Sequence, residues 1–385
     1  MQFSTLLPPT NTPPHQGKDR SKPKAVRDSP TLGGVRKKSA LKANPVGLPE
    51  ARSRTNQNPL LDNIAQVTTY VTSSPNYEAL RKRARAKYYT SNVALGLYSL
   101  NSDLKKSYGQ TAWNCAVTIE QKGEKFTSRY CNQRWCIVCN RIRTAKLIRG
   151  YEPVLSKLKD PQFVTLTIPN VKAQFLRKSI KEMLSACRSI QKAAQKKHER
   201  NPNALQIICI RKVECTHNHI ANDFHPHFHF IIQGKEAAEH LRAEWLKIYQ
   251  NASIVAQDIR PANEGSSQEL FKYFSKMITK VDGEALTLLE PLNVIFTAMR
   301  GLRTFQPLGL KKHVSEDIDA LQAETIEGVT PDTGMWVWNY SDWVNLDTAE
   351  ALTGHLPSEQ SNKLIEGILI NYASKRRPPI LIGAG

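Results

Sequence analysis

The chain has 385 residues, enough to bury a sizeable core and to hold more than one module. Its 54 Lys and Arg against 34 Asp and Glu give a formal net charge of +20 and a pI near 9.6, which requires a polyanionic partner, either nucleic acid or an anionic membrane surface. No apolar run is long enough to span a bilayer and Met1 to Arg20 holds no apolar signal core, so a membrane role is set aside and a soluble, cytoplasmic protein is expected.

Residues 1–72 are rich in Pro, Ser, Asn, Lys and Arg. Eleven basic residues from Lys18 to Arg54 face only Asp19, Asp28, Glu50 and Asp62, with few large apolar side chains. Such a composition cannot bury enough surface to offset the entropy of ordering, and a disordered basic tail is expected. Residues 73–150 form a second unit. A helical pattern runs from Tyr77 to Tyr108 with Arg81, Lys82, Arg83, Arg85 and Lys87 on its first turns, either a solvated face or a surface for phosphates. Four of the seven cysteines follow within 25 residues. Cys136-x-x-Cys139 has the spacing of a zinc knuckle, and Cys131 and Cys115 can complete a four-thiolate structural Zn²⁺ site. A redox pair is the competing reading. The extra cysteines and the flanking Arg134, Arg141 and Arg143 favour a zinc module that touches DNA. Cys187 and Cys209 read as small buried residues.

Residues 151–282 alternate strands and helices. A helix over 144–158 leads to a strand over 162–168, stopped by Pro169, and then to a long amphipathic helix over 171–199. Strands over 204–213 and 224–232, a helix over 236–249, a short strand over 254–259 and a helix over 268–281 complete the run. This order predicts an α+β fold with a central antiparallel sheet and flanking helices. Residues 283–385 are read as a C-terminal lobe of unassigned role, helical over 286–302 and containing Trp336, Trp338 and Trp343.

Two stretches carry chemistry. In Phe224–Ile232 (FHPHFHFII), strand alternation puts His225, His227 and His229 on one face and Phe228, Phe230 and Ile232 on the other. Two imidazoles at i and i+2 on one strand can grip one metal ion. In the helix after Gly265, Glu269, Tyr273 and Lys276 share a face, so a phenol sits beside a carboxylate and an ammonium. Tyr273 is a candidate nucleophile there.

Taken together, Phe163–Val171 (FVTLTIPNV), His225–His229 (HPHFH) and Glu269–Tyr273 (ELFKY) resemble the three ordered motifs of rolling-circle plasmid replication initiators of the HUH endonuclease superfamily. The single-tyrosine group, with a glutamate four residues before the tyrosine, is the most similar. The resemblance covers roughly Asn114 to Val281 and leaves the tail and the last hundred residues outside it.

The resemblance implies an HUH nuclease core in which His227 and His229 hold Mg²⁺ or Mn²⁺ against the scissile phosphate of single-stranded origin DNA. Tyr273 would attack the phosphorus, leaving a 5′-phosphotyrosyl enzyme and a 3′-hydroxyl primer. Glu269 would activate the water that ends the round, with Lys276 neutralising charge. A hard ion wants more oxygen than two imidazoles supply, and Glu214 is the expected third ligand. His225 is expected to support the site or touch DNA, as are Arg134, Arg141, Arg143 and Lys272. The implied partners are plasmid origin DNA, a host helicase and a host DNA polymerase, with a homodimer left open, in a bacterial cytoplasm. A related transposase or relaxase and a nonenzymatic zinc-containing DNA-binding regulator are the alternatives. The chain has no Gly-x-x-x-x-Gly-Lys-Ser/Thr loop, which disfavours the relaxase with its attached motor.

Overall fold

A computed structural model describes residues 75–271, 277–281, 284–311, 313–318, 321–325 and 332–365. The expected disordered tail, residues 1–72, lies outside the described residues. The first element is helix α1 (Pro75–Ser99), followed by α2 (Lys105–Asn114). Their junction holds Asn101 at φ 55°, a left-handed conformation that asparagine tolerates, and it splits the single helix expected to Tyr108. Then come strands β1 (Thr118–Gly123) and β2 (Lys125–Arg129), helix α3 (Ile137–Leu155), β3 (Pro161–Thr167), α4 (Ala173–Arg200), β4 (Cys209–Asn218), β5 (Asp223–Gln233) and α5 (Lys235–Ile248). A 3-10 turn (Ile254–Ala256) precedes β6 (Asp258–Pro261) and α6 (Glu264–Phe271). The chain continues through β7 (Thr279–Val281), β8 (Glu284–Leu286), α7 (Leu289–Met299), β9 (Phe305–Leu308), β10 (Leu321–Thr325), β11 (Asp332–Asn339) and β12 (Asp342–Asn345). The α+β reading holds, with two five-stranded sheets rather than one central sheet.

The first sheet has the order β6-β3-β5-β4-β9, all neighbours antiparallel. One face carries Val164, Leu166, Val213, Phe228, Phe230 and Ile232, all buried against α4. Helix α4 turns Leu176, Ile180, Met183, Cys187, Ile190 and Ala194 inward, at spacings of three and four. Each large side chain so buried contributes roughly 1.5–3 kcal/mol. Cys187 and Cys209 are buried, as expected. Among the described residues, the opposite face is covered only at one end, where Phe163, Ile210 and Ile231 meet Leu147, Tyr151, Leu270 and Phe271 of α3 and α6.

The second sheet has the order β10-β2-β1-β11-β12. From sequence, a separate lobe is expected after residue 282. The pairing instead runs across that boundary: β9 adds to β4 of the first sheet, and β11 pairs with β1 from Thr118↔Val337 to Gly123↔Asp332. The two small cores are tied together by α1, whose Leu80 and Ala84 enter the second and whose Val93, Ala94 and Leu97 enter the first.

Local boundaries also shift. β4 begins at Cys209, after the Pro202–Asn203 turn region, and its alternation continues through Glu214 and Thr216. The helix expected over 268–281 starts earlier, at Glu264, where Asn263 caps it through Ser266. It does not reach 281, because Thr279–Val281 pair with Glu284–Leu286. Asp282-Gly283 between them is a sequence pair favoured in two-residue hairpins. Among the described residues, no helix is long and apolar enough to cross a membrane.

Candidate metal centre and cysteine cluster

The register of β4 on β5 places Glu214 opposite His227 and Lys212 opposite His229. Opposed residues share a face, so all four project from the open side of the first sheet. Glu214 Oε2 lies 3.7 Å from Nε2 of both histidines, and the three ligand atoms fall within 4.8 Å of one another. His227 Nδ1 is 3.0 Å from the carbonyl of His225. A carbonyl only accepts, so Nδ1 carries the hydrogen, and Nε2 is the ring atom that faces Glu214. His229 is held through Nδ1 by Thr165 Oγ1 at 3.1 Å. Lys212 Nζ sits 2.6 Å from Glu214 Oε1, leaving Oε2 to the imidazoles. Burial alone would push the Glu214 carboxyl up, but its contacts with both histidines and the Lys212 charge hold it well below the usual carboxylate range. A carboxylate and the Nε2 atoms of two imidazoles are a donor set that can hold a divalent ion.

Sequence reasoning places Glu214 with the histidines but misses Lys212, which is buried beside the site. Its signal was available: Lys212 and Glu214 are i and i+2 on one strand, hence on one face. His225 shares that face, with its ring 5.1 Å from that of His227, yet it is not in the ligand group. Its Nδ1 lies 2.9 Å from Asn170 Oδ1, and Asn170 in turn donates to Asp223 at 2.8 Å. The chain leaves the ladder here because Pro169 and Pro226 have no N–H to give; it returns as the Val171↔Phe224 bridge. The last residue of β3, Thr167, has its N–H taken by Gln257 at 2.7 Å and its carbonyl by Trp245 at 2.9 Å.

Helix α6 packs against β5 and α3 on the same side of the sheet. Its last carbonyl, that of Phe271, accepts from Thr144 Oγ1 at 2.7 Å, and the Phe271 ring stacks on Tyr151. Glu269 forms an ion pair with Arg260 of β6 at 2.7 Å, with both side chains nearly half exposed. Lys272, Tyr273 and Lys276 lie outside the described residues.

The four cysteines form a second cluster. Sulfur separations are 3.6 Å for Cys115–Cys136, 3.5 Å for Cys115–Cys139 and 3.6 Å for Cys131–Cys139. A tetrahedron with metal–sulfur bonds of about 2.3 Å has edges of about 3.8 Å, close to these distances. Hydrogen bonds from the other three thiols drive the Cys131 thiol down, while burial pushes that of Cys136 up. Lys87 gives an independent test of fit. It is 1% exposed, its Nζ has no hydrogen-bond partner among the described residues, and it lies 5.8 Å over the Trp338 ring. Its pKa is lowered on balance, because burial outweighs the opposing pull of the four sulfurs. A buried ammonium without a partner costs several kcal/mol unless negative charge stands nearby. Four thiolates around a divalent ion supply a net −2, whereas four neutral thiols supply nothing. The cluster therefore fits a tetrathiolate metal centre.

The basic residues expected at DNA divide. Arg143 is 4% exposed and donates to Glu316 O, Asn132 O and Asn132 Oδ1, so it braces the cysteine turn and offers DNA no face. Arg134 donates to Thr304 Oγ1 at 2.6 Å and pairs with Glu316 at 3.3 Å, remaining partly exposed. Arg141 is exposed and donates to the Lys82 carbonyl. In α1, Lys87 is interior and only Lys82 and Arg85 of the basic run are exposed, so that run is no uniform solvated face.

A family model described as "Replication protein" matches residues 123–332. A "Protein rep" of Bacillus amyloliquefaciens is 26% identical over 292 residues, covering 65% of this chain and 79% of that protein. A "Protein rep" of Staphylococcus aureus is 26% identical over 174 residues, 40% of this chain and 73% of the relative. Another from Bacillus sp. is 23% identical over 294 residues, 65% of this chain and 88% of the relative. No solved structure matches.

Proposed function

Because the chain belongs to the replication-protein family whose model spans residues 123–332, we propose that it starts rolling-circle replication of a plasmid by nicking one strand at the origin. The observation that carries this reading is the meeting of Glu214, His227 and His229 on the open sheet face that α6 also covers. The ion would be Mg²⁺ or Mn²⁺, which when bound supplies Lewis-acid polarisation of the scissile phosphate. The reading is tested by incubating the protein with single-stranded origin DNA and Mn²⁺. A cut strand with a free 3′-hydroxyl and a covalent protein–DNA adduct are expected; hydrolysis without an adduct would overturn it.

In this reaction the His225 carbonyl keeps His227 in one tautomer, Thr165 holds the His229 ring in place, and Lys212 turns one Glu214 oxygen away from the histidines. The Tyr273 phenol attacks phosphorus as its proton is lost; the bond from phosphorus to the 3′ oxygen breaks, and that oxygen leaves as the primer hydroxyl. Lys276 neutralises charge at the phosphate. Thr144 and the Tyr151–Phe271 stack hold the point from which the chain reaches Tyr273. At the end of the round Glu269 takes a proton from water, the water oxygen bonds to the strand's phosphorus, and the phosphorus–oxygen bond opposite it breaks, which releases the strand. The Arg260 pair holds that carboxylate at the helix surface in the described state. Glu269→Gln should therefore keep first cleavage within a few-fold and lose termination, so displaced strands longer than one plasmid unit accumulate on gels. Clean termination by this variant would remove Glu269 from the mechanism.

The cysteine cluster is read as a structural Zn²⁺ site. Metal analysis of the purified protein should find about one zinc per chain. Cys136→Ser/Cys139→Ser should lose it and melt several degrees lower, because a structural site contributes folding free energy. A variant that retains zinc and an unchanged melting curve would refute the assignment.

A further inference from the structure

Between the cysteine turn and the α7–β9 connection lies a cavity of about 410 Å³ to which neither metal-binding cluster contributes a ligand residue. Its walls include Phe296 and Met299, with the Trp135 indole stacked on Phe296 at 5.6 Å. Trp135 is 5% exposed, and its Nε1 has no hydrogen-bond partner among the described residues; Ser107 Oγ, also at this cavity, is likewise buried and unpartnered. Two buried polar groups left unsatisfied beside an open volume point to a ligand that completes them. At the rim, Arg300 and Arg303 are exposed. Their backbone is fixed, since Arg177 donates to the Arg300 carbonyl at 2.8 Å and Arg211 to the Arg303 carbonyl at 3.2 Å.

The cavity also has a direction. Arg134 and Thr304 line both it and a smaller crevice that continues to Lys212 and Phe271. Lys212 bears on Glu214, and Phe271 ends α6. The aromatic, arginine-rimmed chamber thus adjoins, across the Arg134–Thr304 hydrogen bond, a crevice that borders the proposed site of cutting.

We propose that this cavity holds one nucleotide of the single-stranded DNA, with the base against Trp135 and Ser107 and the flanking phosphates on Arg300 and Arg303. The proposal rests on the nicking function above. A base brings both an aromatic face and ring acceptors, and a volume of a few hundred cubic ångströms suits a ligand of this size. A strand nucleotide is favoured over a free one because two exposed arginines at the rim, Arg300 and Arg303, can take a phosphate on each side of the base.

The test measures binding of the full chain to origin oligonucleotides carrying one abasic site at successive positions. At one position, a few nucleotides from the cut, affinity should fall roughly tenfold, and Ser107→Ala should blunt that dependence. In Arg300→Ala/Arg303→Ala, whose changes lie on exposed side chains, the slope of log K against log salt should fall by about 1.4, two phosphate contacts on a single strand. A flat abasic scan, or an unchanged slope in a variant that still binds DNA, would overturn the cavity assignment and leave nicking intact. Competition by a free mononucleotide as effective as by the oligonucleotide would overturn the strand assignment. Absence of any single-strand binding would sink both; DNA binding that passes these tests without a covalent adduct would remove the nicking reading alone.

Discussion

His227→Ala/His229→Ala is expected to slow cleavage by at least about 10³-fold, because a bound ion contributes several kcal/mol of transition-state charge stabilisation and each 1.36 kcal/mol is tenfold. The fold should survive. Both imidazoles project from the open face of β5, while Phe228 and Phe230 on the opposite face stay packed on α4. Mn²⁺ binding, followed by titration, should be lost from this site while the zinc content is unchanged, since the cysteine centre shares no ligand with it. Glu214 should behave differently under acid. Its carboxyl is depressed in the folded chain, so its pairing adds stability above the ordinary carboxylate pKa of 4.5, and that stability is lost as pH falls below it. Cleavage at the wild-type rate by the double alanine variant would disprove the metal assignment.

Tyr273→Phe should abolish the adduct altogether. Phenylalanine keeps the ring and removes the only oxygen that can bond to phosphorus, and no second tyrosine stands one turn on at Met277 or further on at Lys280. DNA affinity should change little, because binding depends on phosphate contacts spread over the basic surface. The measurement is a denaturing gel of protein with labelled origin strand, with peptide mapping of any adduct that remains. An adduct in the Phe variant would move the nucleophile elsewhere and leave the match of Glu269–Tyr273 to the third motif without chemical meaning.

What could be read from the sequence follows from the range of each physical rule. Strand alternation is local, so the shared face of the three histidines, and the reach of Glu214 to them from the next strand, were legible from Phe224–Ile232 and Ala204–Glu214. The Cys136-x-x-Cys139 turn is local too, and Cys131 and Cys115 join it in the fold. The second sheet was not legible: β1 and β2 are short and polar, and their partners β10 and β11 lie some two hundred residues away, a pairing that no period within a window reveals. Basic residues misled for a related reason. Lys87 and Arg143 read as surface charge by composition, but their places are decided by distant groups, the four sulfurs for one and the Asn132–Glu316 backbone for the other. The strand at Thr279–Val281 was hidden by a helical pattern extended past its end, although Asp282-Gly283 is a sequence pair favoured in hairpins.

The pairing of β1 with β11 also sets a clock on the ribosome. The hairpin of β1 and β2 emerges early, yet the strand that covers β1 is made more than two hundred residues later, a wait of roughly ten to forty seconds at about 5–20 residues per second. During that interval the bare edge of β1 is open to proteases and to other chains. A message cut before Asp332 yields products that cannot close this edge. Incomplete chains therefore carry an exposed pairing edge that the finished protein does not.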